Sequence, residues 1–125
     1  MSTSLSYPAP QKTDGFAIFV TATIQPDKVD TFLHHFHAAM RAVAAEPECL
    51  SFEVFRSAEE PNKIKWLENW SKSTAWFLEH QATKPYMKEY LELTDPLLVG
   101  EKQWEVLERF GGSWATAQEG VYEKI

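Results

Sequence analysis

The stretch Phe16 to Ile24, FAIFVTATI, constrains this chain more than any other segment. β-branched and aromatic residues dominate it, and a two-residue period places Phe16, Ile18, Val20, Ala22 and Ile24 on one face. The opposite face carries Ala17 and Phe19, so the first half of the strand is apolar on both sides and requires cover front and back. With 125 residues the chain supports one core of this kind, which sets the expectation of a single domain.

The segments that follow supply cover for one side. Pro26 and Asp27 open a predicted helix to about Glu46, on which Val29, Phe32, Leu33, Phe36, Ala39, Met40 and Val43 form one apolar stripe. Glu46, Pro47 and Glu48 end it, and Leu50, Phe52 and Val54 then alternate with Ser51, Glu53 and Phe55 as a second strand. A turn at Glu59 to Asn62 leads into a third strand, Lys63 to Trp70, and the two strands are expected to form a hairpin. Ser71 or Ser73 caps a short helix to about Gln81, and Pro85 starts another that ends at Asp95 and Pro96. Trp104, Val106 and Phe110 alternate with Glu105, Leu107 and Arg109 in a fourth strand. Residues 1–14, with Pro8 and Pro10, read as a flexible arm, 15–110 as the folded domain, and 111–125 as a tail after Gly111 and Gly112.

Strand, helix, strand, strand, helix, strand is the βαββαβ order of the α+β, ferredoxin-like split βαβ fold. Helices cover only one face of such a sheet. The second apolar face then needs a partner, and another copy of the same sheet is the simplest one, so a homodimer is expected.

Composition narrows the function. Twelve Lys and Arg stand against 18 Asp and Glu, a net charge of −6, with no basic run to follow a phosphate backbone, so nucleic acid is not an expected partner. A lone Cys49 forms no internal disulfide, and no apolar run approaches the roughly 18 residues of a membrane helix. These features predict a soluble, cytoplasmic protein with no membrane partner. The five glycines form neither a GxGxxG fingerprint nor a P-loop, so no nucleotide or flavin site is predicted. Aromatic residues make up 14% of the chain and include five Trp, material for a core or for the walls of a flat ligand's pocket.

Several side chains carry chemistry. Imidazole is the side chain suited to exchanging protons at neutral pH, and His80 lies four residues after Trp76 on one helix face, which makes it a proton-transfer candidate. On the third strand Trp66 and Trp70 flank Glu68 on one face, and a buried Glu68 requires a partner or a raised pKa. Packing alone would explain the two indoles. Tyr86 and Tyr90, four apart, offer phenol hydrogen bonds or simple packing. His34, His35 and His37 invite a metal assignment, but at about 100° per residue they diverge around the helix and no metal site is expected. Cys49 reads as a small buried hydrophobe rather than a nucleophile.

Ala45, Glu46, Pro47, Glu48, Cys49, Leu50, Ser51, Phe52 and Glu53 resemble the acidic-proline turn and Cys-Leu strand of the antibiotic biosynthesis monooxygenase family. Glu68, Asn69 and Trp70 resemble its Glu-X-Trp strand end, and His80 its helix histidine. The resemblance runs from about Phe16 to Tyr90 and implies a dimeric α+β barrel. It departs from the family at Glu48, usually Gly, at Trp66, where the polyketide-oxidising branch has Asn, and at Tyr86, where a second His is common. The haem-degrading branch resembles another pattern, with an Asn on the first strand and a His in the helix after Pro85; neither is present here, which disfavours a haem oxygenase. The resemblance implies a cofactor-independent monooxygenase of secondary metabolism that brings O2 to a small aromatic substrate, a polyketide-type phenol or quinol. His80, Glu68 and Tyr86 would be catalytic, and Trp66, Trp70, Trp76, Tyr90 and Phe36 would contact substrate between sheet and helices. The same base and aromatic walls also permit a non-oxidative cyclase, isomerase or lyase, and the fold permits a non-catalytic binding dimer.

Overall fold

The computed structural model describes residues 6–10 and 15–124. Strand β1 spans Phe16–Thr23, helix α1 Val29–Ala44, β2 Cys49–Arg56, β3 Lys63–Trp70, the short α2 Thr74–Trp76, α3 Pro85–Thr94 and β4 Gln103–Glu108. The four strands form one antiparallel sheet in the order β2-β3-β1-β4, the ferredoxin-like arrangement that the element order predicts.

The register explains the core. Phe16, Ile18, Val20 and Ala22 of β1 lie opposite Trp70, Glu68, Trp66 and Ile64 of β3, so these eight side chains share the face beneath the helices. All eight are buried. Phe52 and Val54 extend that face onto β2. Helix α1 lays Phe32, Phe36 and Val43 into it, with Phe36 4.6 Å from Trp66 and 5.5 Å from Phe32 between ring centroids. Val29, Leu33, Ala39 and Met40 pack around them, which is the full stripe expected of this helix.

Element ends moved by a few residues, each for a local reason. β1 stops at Thr23, because Ile24 instead bridges Leu98 and sends its N–H to the Asn62 carbonyl. α1 begins after a 3-10 turn at Pro26–Lys28 and ends at Ala44, two residues before the Glu46 that precedes Pro47, a position disfavoured for helix. A bulge at Leu50 turns its side chain outward at the start of β2. The expected fourth strand ends at Glu108, short of Phe110.

On the face away from the helices Ala17 is buried, Phe19, Leu67 and Leu107 are half-buried, and Phe55 is exposed. The helical layer also stops short of β4, leaving Trp104 55% and Val106 60% exposed on the helix side. Of the expected N-terminal arm, residues 1–5 and 11–14 lie outside the described residues. Residues 6–10 have no regular structure but meet the tail, where Trp114 Nε1 donates to the Pro8 carbonyl at 3.0 Å and Tyr7 packs edge-on against the same indole. The tail then returns to α1, where Glu123 pairs with Arg41 at 2.7 Å. Among the described residues no helix is long and apolar enough to cross a membrane.

Candidate active site

Between the sheet and helices α1 and α3 lies a cavity of about 270 Å3, lined by Phe36, Trp66, Glu68, Phe77, Gln81, Met87, Tyr90 and Lys102 among others. Its size sits near the lower bound of small-ligand pockets, roughly 300–1,000 Å3, and matches one compact molecule.

Glu68 is the chemical centre of this space. Because side chains alternate along β3, Trp66 and Trp70 flank it on the same face, and both indoles turn inward to reach its carboxylate. Trp66 Nε1 donates to Oε2 at 3.0 Å and Trp70 Nε1 donates to Oε1 at 3.1 Å. Neutral donors offset only part of what the charge loses on leaving water, so burial pushes Glu68 up from 4.5 to about 7 against the two hydrogen bonds. The group is therefore divided between acid and base at neutral pH.

Polar groups around the walls are few and incompletely satisfied. Gln81 is wholly buried; its Nε2 donates to the Tyr86 hydroxyl at 2.8 Å while its Oε1 has no partner among the described residues. The Tyr90 hydroxyl is likewise buried without a partner, and burial holds this phenol well above its ordinary range. At the rim, Lys102 Nζ stands 3.6 Å from Asp95 Oδ1, 5.8 Å from the centroid of Tyr90 and 5.3 Å from that of Trp104.

The structure divides the residues singled out in the sequence into three groups. Phe36, Trp66, Glu68 and Tyr90 line the cavity together. Trp70 and Tyr86 stand one hydrogen bond behind it, on Glu68 and Gln81 respectively. Trp76 and His80 lie outside it: they pair with each other, ring centroids 5.6 Å apart, and the His80 side chain is 55% exposed. The segment Phe77–Gln81 is a π-helical turn, closed by the Ala82 N–H on the Phe77 carbonyl. Phe77 and Gln81 face the cavity, and the pair one position earlier, Trp76 and His80, does not.

Gln81 and Lys102 escaped the sequence reading. Gln81 carries a weak signal, an amide four residues after Phe77; Lys102 carries none, since it reaches the cavity only through the path of the loop before β4. Cys49 is half-buried at the edge of the sheet, and burial pushes its thiol up to about 12. Among the described residues no three of His, Cys, Asp or Glu converge as metal ligands; His34 and His37 are exposed on α1.

A larger open groove of about 1000 Å3 runs between α1, β2 and the tail and shares Phe36, Met40 and Phe52 with the cavity. Its charged Arg41 is paired with Glu123, and Glu53 holds the Tyr122 phenol above its ordinary range. The buried Glu68 and the unpartnered Gln81 Oε1 and Tyr90 hydroxyl belong to the smaller space.

A split βαβ sheet whose helices enclose an aromatic cavity over a buried carboxylate defines a small α+β domain with one enclosed space beside its core. The sequence profile of the antibiotic biosynthesis monooxygenase family matches residues 15–93, and the chain belongs to that family. A "putative monooxygenase" of Pestalotiopsis microspora is 28% identical over 108 residues, covering 86% of this chain and 90% of that protein. The solved structure of a "putative antibiotic biosynthesis monooxygenase" from Caulobacter crescentus is 27% identical with a TM-score of 0.68, covering 76% of this chain and 89% of its own. A Mycobacterium tuberculosis protein of 18% identity shares the fold, with a TM-score of 0.70 over 79% of this chain and 98% of that one.

Proposed function

We propose that this protein is a cofactor-independent monooxygenase that oxidises a small electron-rich aromatic, of anthrone or polyketide-phenol type, in the cavity over Glu68. The observation that carries the reading is a buried carboxylate poised near neutrality among aromatic walls. A general base is most useful when its pKa lies near the working pH.

In an anthrone-type substrate the acidic position is a ring CH2 conjugated with a carbonyl. The Glu68 carboxylate takes one proton from it, leaving a delocalised carbanion, which passes one electron to O2. The resulting carbon radical and superoxide combine, and the peroxide collapses to a new carbonyl as water leaves, its hydroxide receiving the proton held on Glu68. The balance is CH2 + O2 → C=O + H2O, with the substrate itself as reductant. Trp66 and Trp70 fix the carboxylate, while Tyr86 fixes Gln81, whose free Oε1 accepts a substrate hydroxyl. The base role passes from His80 to Glu68 because the imidazole stands outside the cavity.

Chelator-treated protein is given an anthrone while O2 uptake and product mass are followed. The expected product gains one oxygen atom and loses two hydrogens, and Glu68→Gln abolishes the uptake. A product isomeric with substrate would instead assign proton-transfer chemistry alone, and no turnover would overturn the enzyme assignment. We further propose that the apolar back of the sheet, Phe19, Leu67 and Phe55, pairs with a second copy. Sedimentation at a single protomer mass would overturn that.

A further inference from the structure

Lys102 is an unusual feature of the cavity rim. Its side chain is only 11% exposed, although a lysine near a surface ordinarily extends its ammonium into water. Here Nζ is held over the rings of Tyr90 and Trp104. Its ion-pair partner among the described residues is Asp95, at 3.6 Å, too long for a hydrogen bond, and that carboxylate is itself 56% exposed. Burial lowers the Lys102 pKa, opposed by Asp95. A cation has thus been drawn out of water toward an apolar cavity and given a loose partner that water can share. Two further polar atoms line the same cavity without a partner among the described residues, Gln81 Oε1 and the Tyr90 hydroxyl. An apolar ligand would leave all three groups unsatisfied at a cost, whereas an aromatic ring bearing a hydroxyl and an anionic oxygen would satisfy them.

We propose that Lys102 is a specificity-determining residue that selects substrates carrying a carboxylate on the aromatic ring system. The proposal rests on the cavity being the substrate site, as argued above. The carboxylate accepts from the ammonium at the rim and from the Tyr90 hydroxyl, the ring lies against Trp66 and Phe36, and a ring hydroxyl donates to Gln81 Oε1. Asp95 opposes the anion from the cavity rim, but its side chain is 56% exposed and water screens part of its charge. Charge-assisted contacts at a partly dry site are stronger than neutral ones, so the discrimination is at least about tenfold.

The test is direct binding, followed by tryptophan fluorescence and calorimetry at neutral pH and low salt, with a naphthol and its ortho-carboxylated analogue, a hydroxynaphthoic acid. The wild-type protein binds the carboxylated ligand at least about tenfold more tightly. Lys102→Met removes the preference, Lys102→Arg retains most of it, and Asp95→Asn strengthens carboxylate binding, which a purely structural Lys102–Asp95 pair would not produce. Equal affinity for the two ligands, binding of neither, or a preference that survives Lys102→Met would overturn the proposal. The wild-type comparison stands even if a variant fails to fold. A carboxylate preference without O2 uptake would overturn the oxygenase reading and leave this one intact.

Discussion

Replacing Glu68 with Gln isolates the energetic consequence of burying that carboxyl. In the unfolded chain Glu68 titrates near 4.5, and in the fold near 7, so between those values the folded state holds a proton that the unfolded state has released. Stability from this group is fully present below pH 4.5 and is lost as pH rises through 7. At about 1.4 kcal/mol per pKa unit the whole effect is about 3 kcal/mol, most of it between pH 5 and 8. Gln cannot titrate. Its amide also sets an N–H against one indole donor, but that penalty does not vary with pH and cancels when the two proteins are compared at both ends of the range. The measurement is thermal unfolding by circular dichroism of wild type and Glu68→Gln at pH 5 and pH 8. The wild type is expected to lose ground against the variant by about 2–3 kcal/mol, roughly 10 °C in Tm for a domain of this size. A gap between the two proteins that stays the same at both pH values would refute the reasoning, since it would mean that water reaches the carboxylate and keeps it at its ordinary pKa.

Other perturbations probe the same architecture. If Glu68 is the base, kcat/KM rises with pH through about 7, and Trp66→Phe, which removes the donor to Oε2, moves that midpoint higher and lowers stability by about 1 kcal/mol; a profile unmoved by Trp66→Phe would argue against Glu68. Phe36→Ala removes the ring that contacts Phe32, Phe52, Trp66 and Tyr90, and is expected to cost about 3–5 kcal/mol in denaturant unfolding. Cys49, its thiol pushed up to about 12, reacts with an alkylating reagent at pH 8 many times more slowly than in the denatured chain; equal rates would contradict the raised pKa. Gly15→Ala drives a Cβ into the Trp70 carbonyl oxygen and lowers Tm, whereas an unchanged Tm would show that the start of β1 can move.

What local periodicity could determine, it determined well. The α1 stripe and the bounds of β3 follow from side-chain spacing, because a helix or strand buries the face its own repeat exposes to the core. The Trp66–Glu68–Trp70 alternation likewise placed a carboxyl between two indoles before any tertiary contact was known. Three things required the assembled fold. Whether Glu68 stays wet or is buried depends on how closely α1 and α3 approach the sheet, and that distance sets its pKa. Which face of the segment after Trp76 meets the cavity depends on one π-helical turn, a closure from the Ala82 N–H to the Phe77 carbonyl that no hydrophobic repeat encodes. Lys102 comes beside Tyr90 only because β4 pairs with β1 and draws the preceding loop across the mouth of the cavity. Spacing along the chain carries information about neighbours three or four residues apart, while the chemistry of a cavity depends on water exclusion and on residues brought together from distant parts of the chain.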